Sequence, residues 1–382
     1  MNRHNTFPAF ALFLALLLTS IALHGADTLP SQIADDAFWK LSDSSSEASG
    51  EFQSENFLSN ETGYQVVIPA LKQIAKPGSV YMGVGPEQNF TYIAAIRPKM
   101  AFIIDIRRQN MVEHMMYKAL FELSADRAEF LSRLFSRKRP AGLSEESTVN
   151  ELFDAYGVAP RDPGGSAKTL QEMQNLLLEK HHFGLTASDR SALEHVYAVF
   201  AQFGTDINYS SGGGGGGGGR GSTYADLMKG TDDAGHQSSY LASEDSYRFL
   251  RDMERNNLIV PLTGDFGGPL AIQAVGRYLK EHGATVAAFY TSNVEQYLFQ
   301  GADNQGHLNG GGTNFYNNVA TLPLDASSMF IRSGNGGGRG GTANRATGAS
   351  GRPNYIASIQ ETLAAVKEGR IQSYTDIFQF SR

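Results

Sequence analysis

The stretch Val80–Asn110, VYMGVGPEQNFTYIAAIRPKMAFIIDIRRQN, restricts the fold more than any other part of the chain. An apolar run, Ser79–Val84, meets Gly83 and Gly85 and enters a helix-like segment, Asn89–Ile96. Pro98 ends that segment, and a second apolar run, Met100–Ile106, carries Asp105 near its end. Short continuous apolar runs bounded by glycine and proline suit strands buried on both faces, as in parallel sheets. Two such strands joined by a helix form a βαβ unit. The spacing therefore predicts an α/β protein with a mostly parallel sheet.

The same alternation returns after a long gap. Glu244–Asn256 predicts a helix, and Leu258–Leu262 a strand that runs into Thr263-Gly264-Asp265-Phe266-Gly267-Gly268. A helix over Leu270–Glu281, a strand over Thr285–Tyr290 and a short helix over Val294–Phe299 follow, then a strand at Ser328–Ile331 and a last helix over Tyr355–Glu368. Tyr64–Ile74 forms a lead-in that Lys76-Pro77-Gly78 breaks. In the gap, Asn110–Leu123, Asp126–Phe135, Val149–Tyr156, Leu170–Glu179 and Ser188–Phe203 all carry helical periodicity. The block over about 125–205 is thus a helical insertion after the second strand, within one domain spanning 61–382. Eight consecutive glycines, Gly212–Gly219, and the run from Gly334 to Gly351 predict mobile loops over 210–222 and 334–351. The first of these lacks the Gly-Lys-Ser/Thr ending of a phosphate loop.

The N-terminus bears on location. Arg3 precedes the apolar Phe7–Leu23, and the small residues Gly25 and Ala26 precede Asp27. This is the pattern of a secretory signal peptide over 1–26, cleaved after Ala26 or retained as a membrane anchor. Both readings place the globular part outside the cytoplasm, periplasmic or extracellular. Residues 27–60, with SDSSSEASGEFQSEN, read as a flexible Ser/Glu-rich tether with one short helix near Ile33–Leu41. No cysteine occurs, which excludes disulfides, thiol nucleophiles and lipoprotein anchoring. A net charge of −7 with no basic stripe argues against nucleic acid as a partner.

The chemistry concentrates at strand ends. A strand running into Gly83-Val84-Gly85 lets the backbone turn sharply beside a ligand, and the helix that follows offers free N–H groups. Asp105 lies about twenty residues after Gly85, where an acid accepts hydrogen bonds from ribose hydroxyls. The competing reading is a plain glycine turn and a solvated strand-end acid. Arg107 and Arg108 are either a carboxylate or phosphate site or a solvated helix start. Asp265 either accepts a proton or orients an acceptor, with Phe266 stacking, or simply caps the next helix. Asn293 and Tyr297 follow the next strand on the same edge. Glu113 and His114 have no geometry fixed by spacing. The histidines do not converge, no HExxH occurs, and no metal site is expected. No G-x-S-x-G elbow occurs, so an α/β-hydrolase is not expected.

Dinucleotide-binding domains place a third glycine three residues after the second, and here that position is Gln88. The segment instead resembles motif I and the following acid of class I, Rossmann-like S-adenosylmethionine-dependent methyltransferases. The wider VGPEQNFTYIAAIRPK…DIRRQN pattern is similar to a bacterial exported family with such a domain, closest over Thr62–Glu122 and Leu258–Phe299. In the methyltransferase pattern an acid often stands where this chain has Tyr81, and small residues where it has Pro86-Glu87. The resemblance implies a Rossmann-like methyltransferase-type fold with S-adenosylmethionine as cofactor. It implies Gly83 and Gly85 at the methionine end and Asp105 at the ribose, with Glu87 and Arg107 completing the cofactor set. It also implies Asp265 as the catalytic group and Phe266, Asn293 and Tyr297 around the acceptor. The expected partner is a small molecule or an envelope component. A non-catalytic envelope binding protein on the same scaffold is the alternative.

Overall fold

The computed structural model describes residues 28–212, 221–300, 308–334 and 354–381. The signal-peptide reading of 1–26 and most of both glycine-rich loops lie outside the described residues.

Along the chain, α1 (Asp35–Ser44) and α2 (Ile68–Ile74) precede β1 (Val80–Gly83), and α3 (Gln88–Ile96) leads to β2 (Met100–Asp105). A long helical stretch follows: α4 (Arg108–Leu123), α5 (Arg127–Leu134), α6 (Val149–Val158), α7 (Gly165–Gln174), α8 (Ala187–Phe203), α9 (Tyr224–Lys229) and α10 (Glu244–Arg255). Alternation then resumes with β3 (Ile259–Thr263), α11 (Ala271–Glu281), β4 (Val286–Ser292), α12 (Val294–Gln300) and α13 (Gly310–Val319). Then come β5 (Met329–Ser333), β6 (Asn354–Ser358) and α14 (Ile359–Lys367), and a 3-10 helix over Tyr374–Phe380 is the last element of the described chain. The protein is therefore α/β, with a helical insertion between β2 and β3.

The six strands form one mixed sheet in the order β3-β2-β1-β4-β5-β6. The first five are parallel and β6 runs antiparallel to β5. The order reverses between β1 and β4, the place where open α/β sheets leave a crevice at their carboxyl edge. Successive side chains point to opposite faces, and each face carries its own aromatic set. Met82, Phe102, Phe289 and Phe330 share one register row. On that face Phe102 meets Tyr278 of α11, and Phe289 and Phe330 meet Phe315 of α13. Tyr81 and Tyr290 point the other way and meet Tyr92 of α3. Both faces are covered, which is why the strands read as continuous apolar runs.

The insertion helices carry strong local start signals. Thr148 with Glu151, Thr186 with Asp189 and Thr223 with Asp226 form capping boxes at α6, α8 and α9. Helix α8 lies along α4, and Asp189 also pairs with Arg108 at 2.9 Å.

Two expectations are corrected. The segment 27–60 is no tether over its described part. Phe38, Phe57 and Leu58 are fully buried, and α1 runs along the edge strand β3. There Ser42 donates to the carbonyl of Pro261, and Ser46 accepts from Thr263 N. Pro261 is tolerated in β3 because that strand pairs on one side only. His181, between Asp35 at 2.9 Å and Glu122 at 3.0 Å, pins α1 from the other side. Second, the final element begins as a strand, since Asn354–Ser358 pairs with β5 before α14 starts. Gly310–Val319, for which the sequence carried no expectation, is a helix with a glycine-rich start. Its first N–H groups bond the side chain of Asn309.

Candidate functional site

At the reversal point the carboxyl edge opens into a cavity of about 670 Å³, a size suited to a small-molecule ligand. Gly85, Asp105, Arg107, Asp265, Phe266, Asn293 and Tyr297 all line it. So do Phe52, Asn56 and Glu61 of the N-terminal segment, and Tyr209 and Ser210 from the end of the insertion. Two of the non-glycine residues with positive φ, Asn56 (48°) and Ser292 (50°), stand in its wall. Such backbone strain persists only where the surroundings hold it, as at ligand sites.

The turn after β1 is held by Asn89, which is in turn held by Tyr81, the residue standing where the methyltransferase pattern often has an acid. Asn89 Nδ2 donates to the carbonyls of Val84, Gly85 and Pro86 at 2.9, 3.1 and 2.7 Å. Tyr81 Oη holds Asn89 by donating to its Oδ1 at 2.8 Å. A Cβ on Gly83 would collide with the Asn89 amide oxygen and the Tyr81 ring. Gly83 is thus needed for packing and does not line the cavity, contrary to expectation. Gly85 does line it, with φ +75° and open space toward Asn56. Gln88, in the place of a third glycine, bonds Glu61 and Tyr92 at 2.9 and 3.0 Å.

Glu87 is also not in the cavity. It is buried, and neither carboxyl oxygen has a hydrogen-bond partner among the described residues. Burial pushes its carboxyl up to about 8. Glu113 is buried and unpartnered in the same way, and burial, then the nearby Glu87, raises its carboxyl well above the usual range. His114 reaches the carbonyl of Gly85 at 2.9 Å, and burial pushes its imidazole down to about 4. Native Glu87 keeps a proton that the unfolded chain sheds above about pH 4.5. Stability therefore falls as pH rises from there to about 8. Glu87→Gln is expected to remove up to about 1.4 kcal/mol per pH unit of that decline. Urea unfolding across this range checks it, and an unchanged slope refutes a buried neutral carboxyl.

The acid–arginine pair is self-engaged. Asp105 Oδ1 accepts from Arg107 N at 2.9 Å and Nε at 3.2 Å, while Oδ2 has only a 3.4 Å contact with Nη2. Arg107 Nη1 also donates to the carbonyls of Ser54 and Glu55, and its guanidinium lies over the Phe52 ring. Asp105 Oδ2 therefore keeps accepting capacity toward the cavity, whereas Arg107 has little left for an anion. Arg108 faces Asp189 and stays outside.

Asp265 sits at the exposed rim. Its Oδ1 accepts from Gly267 N at 2.8 Å, which tightens the turn. The cap of α11 that one of the two readings of Asp265 assigned to it is supplied by Glu47. Glu47 Oε1 accepts from Leu270 N and Ala271 N at 2.8 and 2.9 Å, and Oε2 accepts from Asp265 N at 3.2 Å. The α11 N-terminus, a ready anion site, is thereby filled from within the chain. Phe266 is only 3% exposed and stacks on Phe315 at 5.6 Å, so it serves the core more than a ligand. Tyr297 is 39% exposed and meets Phe52 edge-on at 5.4 Å. Asn293 lies beside it with a long 3.4 Å bond to Gln296.

Sequence reasoning missed Glu61. Its buried carboxylate accepts from Tyr290 and Ser292 hydroxyls and from the Gln88 and Asn354 amides, joining the N-terminal segment to α3, β4 and β6. No local pattern marks it, because its partners come from distant parts of the chain. Among the described residues no cluster of three or more His, Asp or Glu could hold a metal ion, and no helix is long and apolar enough to cross a membrane.

No curated protein matches the chain. A family model does, over residues 56–153 and 222–377, which include the glycine turn, Asp105, Asp265 and the whole sheet. With well over half of its length so matched, the chain belongs to the family described as Domain of unknown function (DUF7790).

Proposed function

We propose that this chain is an exported, methyltransferase-like protein of the cell envelope that binds S-adenosylmethionine in the cavity at the sheet reversal. The observation that carries the reading is the joint presence of Gly85 and Asp105 in one cavity wall, at the ends of adjacent parallel strands. The strand order favours the finer assignment of a Rossmann-like, methyltransferase-type fold. Gly85 gives a ligand close approach to the backbone, and Asp105 Oδ2 is available to a ribose hydroxyl. Asn293 and Tyr297 border the acceptor side, and Asp265 is the rim carboxylate suited to take a proton from the acceptor. The acceptor is a small molecule or an envelope component. The cofactor's sulfonium would supply the methyl group, and the chain's own part is binding and alignment.

A second reading, a non-catalytic envelope binding protein, is favoured by the Arg107–Asp105 pair, which occupies much of the acid's capacity. Isothermal titration of the full chain with S-adenosylmethionine and S-adenosylhomocysteine separates the two. Micromolar binding, weakened at least about tenfold in Asp105→Ala, supports the first. Folded protein that binds neither compound ends it and leaves the binding-protein reading.

A further inference from the structure

The cavity's own charges and surfaces select among ligands, and this selection rests on the reading of the cavity as the ligand site. Among the described residues that line it, four carboxyl side chains, Glu51, Glu61, Asp105 and Asp265, face one basic side chain, Arg107. That guanidinium is already committed to Asp105 and to the carbonyls of Ser54 and Glu55. The N-terminus of α11 is closed by Glu47. An anionic ligand entering here meets no open cationic partner among the described residues, and it meets an excess of carboxyl groups in a partly enclosed space where charges are weakly screened.

A cation meets the opposite. Asp265 is exposed at the rim, and its Oδ2 accepts no bond from a described residue. Glu51 is exposed in the same lining. Tyr297 presents a partly exposed ring set edge-on to Phe52 at 75°. Carboxylates beside aromatic rings are the surroundings an ammonium group prefers, because ring faces and carboxylates are both electronegative.

We infer that the cavity, through Asp265, Glu51 and the exposed Tyr297 ring, receives an ammonium group, so that the ligand taken beside the cofactor is an amine and not a phosphate or carboxylate. The probes are 1,4-diaminobutane and its dianionic counterpart of equal length, succinate. Each is titrated calorimetrically into the full chain, with and without S-adenosylmethionine, at low and high salt. The diamine is expected to bind, more weakly as salt rises, with succinate giving no heat. The double variant Asp265→Asn with Glu51→Gln is expected to weaken the diamine about tenfold or more. Tyr297→Leu, a change outside the buried core, is expected to weaken it about threefold. Succinate binding as tightly as the diamine overturns the inference, as does diamine affinity unchanged in the folded double variant. Diamine binding by a chain that ignores S-adenosylmethionine supports the inference while ending the methyltransferase reading. Cofactor binding without diamine binding does the reverse.

Discussion

Glu295→Ala is expected to cost about 3–5 kcal/mol of stability, the usual result of leaving a buried charge without its partner. Arg332 and Glu295 are 0% and 1% exposed in their side chains. Arg332 Nε and Nη2 bond the two carboxylate oxygens at 2.7 and 2.9 Å, and Tyr316 Oη donates to the same carboxylate at 2.6 Å. The guanidinium also lies 4.4 Å from the Phe330 ring centroid. With the acid gone, the arginine of β5 is left fully buried without its partner. Urea unfolding followed by circular dichroism measures the loss. Replacing both partners, Glu295→Leu with Arg332→Met, should recover most of it, because the pair's attraction largely offsets its own desolvation. A loss below about 1 kcal/mol in Glu295→Ala, the value of an exposed pair, would mean that water reaches the guanidinium.

Glu61→Ala is expected to cost about 3 kcal/mol or more, as three buried donors and the half-buried Ser292 hydroxyl lose their shared acceptor. Glu61→Gln should cost about 1 kcal/mol or less. Its oxygen can accept from the Gln88 and Asn354 amides, while its NH₂ donates to the Tyr290 and Ser292 hydroxyls, which can turn to accept. The same alanine variant loosens the cavity floor, so calorimetric ligand binding should fall with stability, whereas the glutamine variant keeps both. Equal losses in the two variants would show that the negative charge matters more than the bonds.

Much of the framework was legible. Strands β1 to β5 appeared as apolar runs with ends within a residue or two, because their neighbours bury both faces and leave no polar alternation. Helices α6 and α8 were legible from their helical periodicity, and the structure adds Thr148–Glu151 and Thr186–Asp189 capping boxes at their starts. Gly85, Asp105, Asp265, Asn293 and Tyr297 were placed at the carboxyl edge by strand-end position, and all of them line the cavity. Glu87 and Gly83 were misplaced for one reason. Proximity in sequence to a glycine turn does not say which side of the turn a side chain occupies, and here Glu87 faces inward while Asn89 packs across Gly83.

The segment from Thr28 to Asn60 was the largest surprise. Its Ser/Glu composition lacks the density of apolar residues that marks a packed element, yet Leu29, Ile33, Phe38, Phe57 and Leu58 are buried and several of its polar side chains have specific partners. Glu47 closes a helix more than two hundred residues further on, and Ser54 and Glu55 cover Arg107. Local composition determined the alternation of strands and helices, the sheet's burial and the identity of the strand-end residues, since periodicity and punctuation act within a few residues. Which charges meet, which helix end is filled and which carboxylate faces a ligand were decided only by tertiary structure. Those outcomes depend on desolvation and hydrogen-bond satisfaction between groups far apart in the chain.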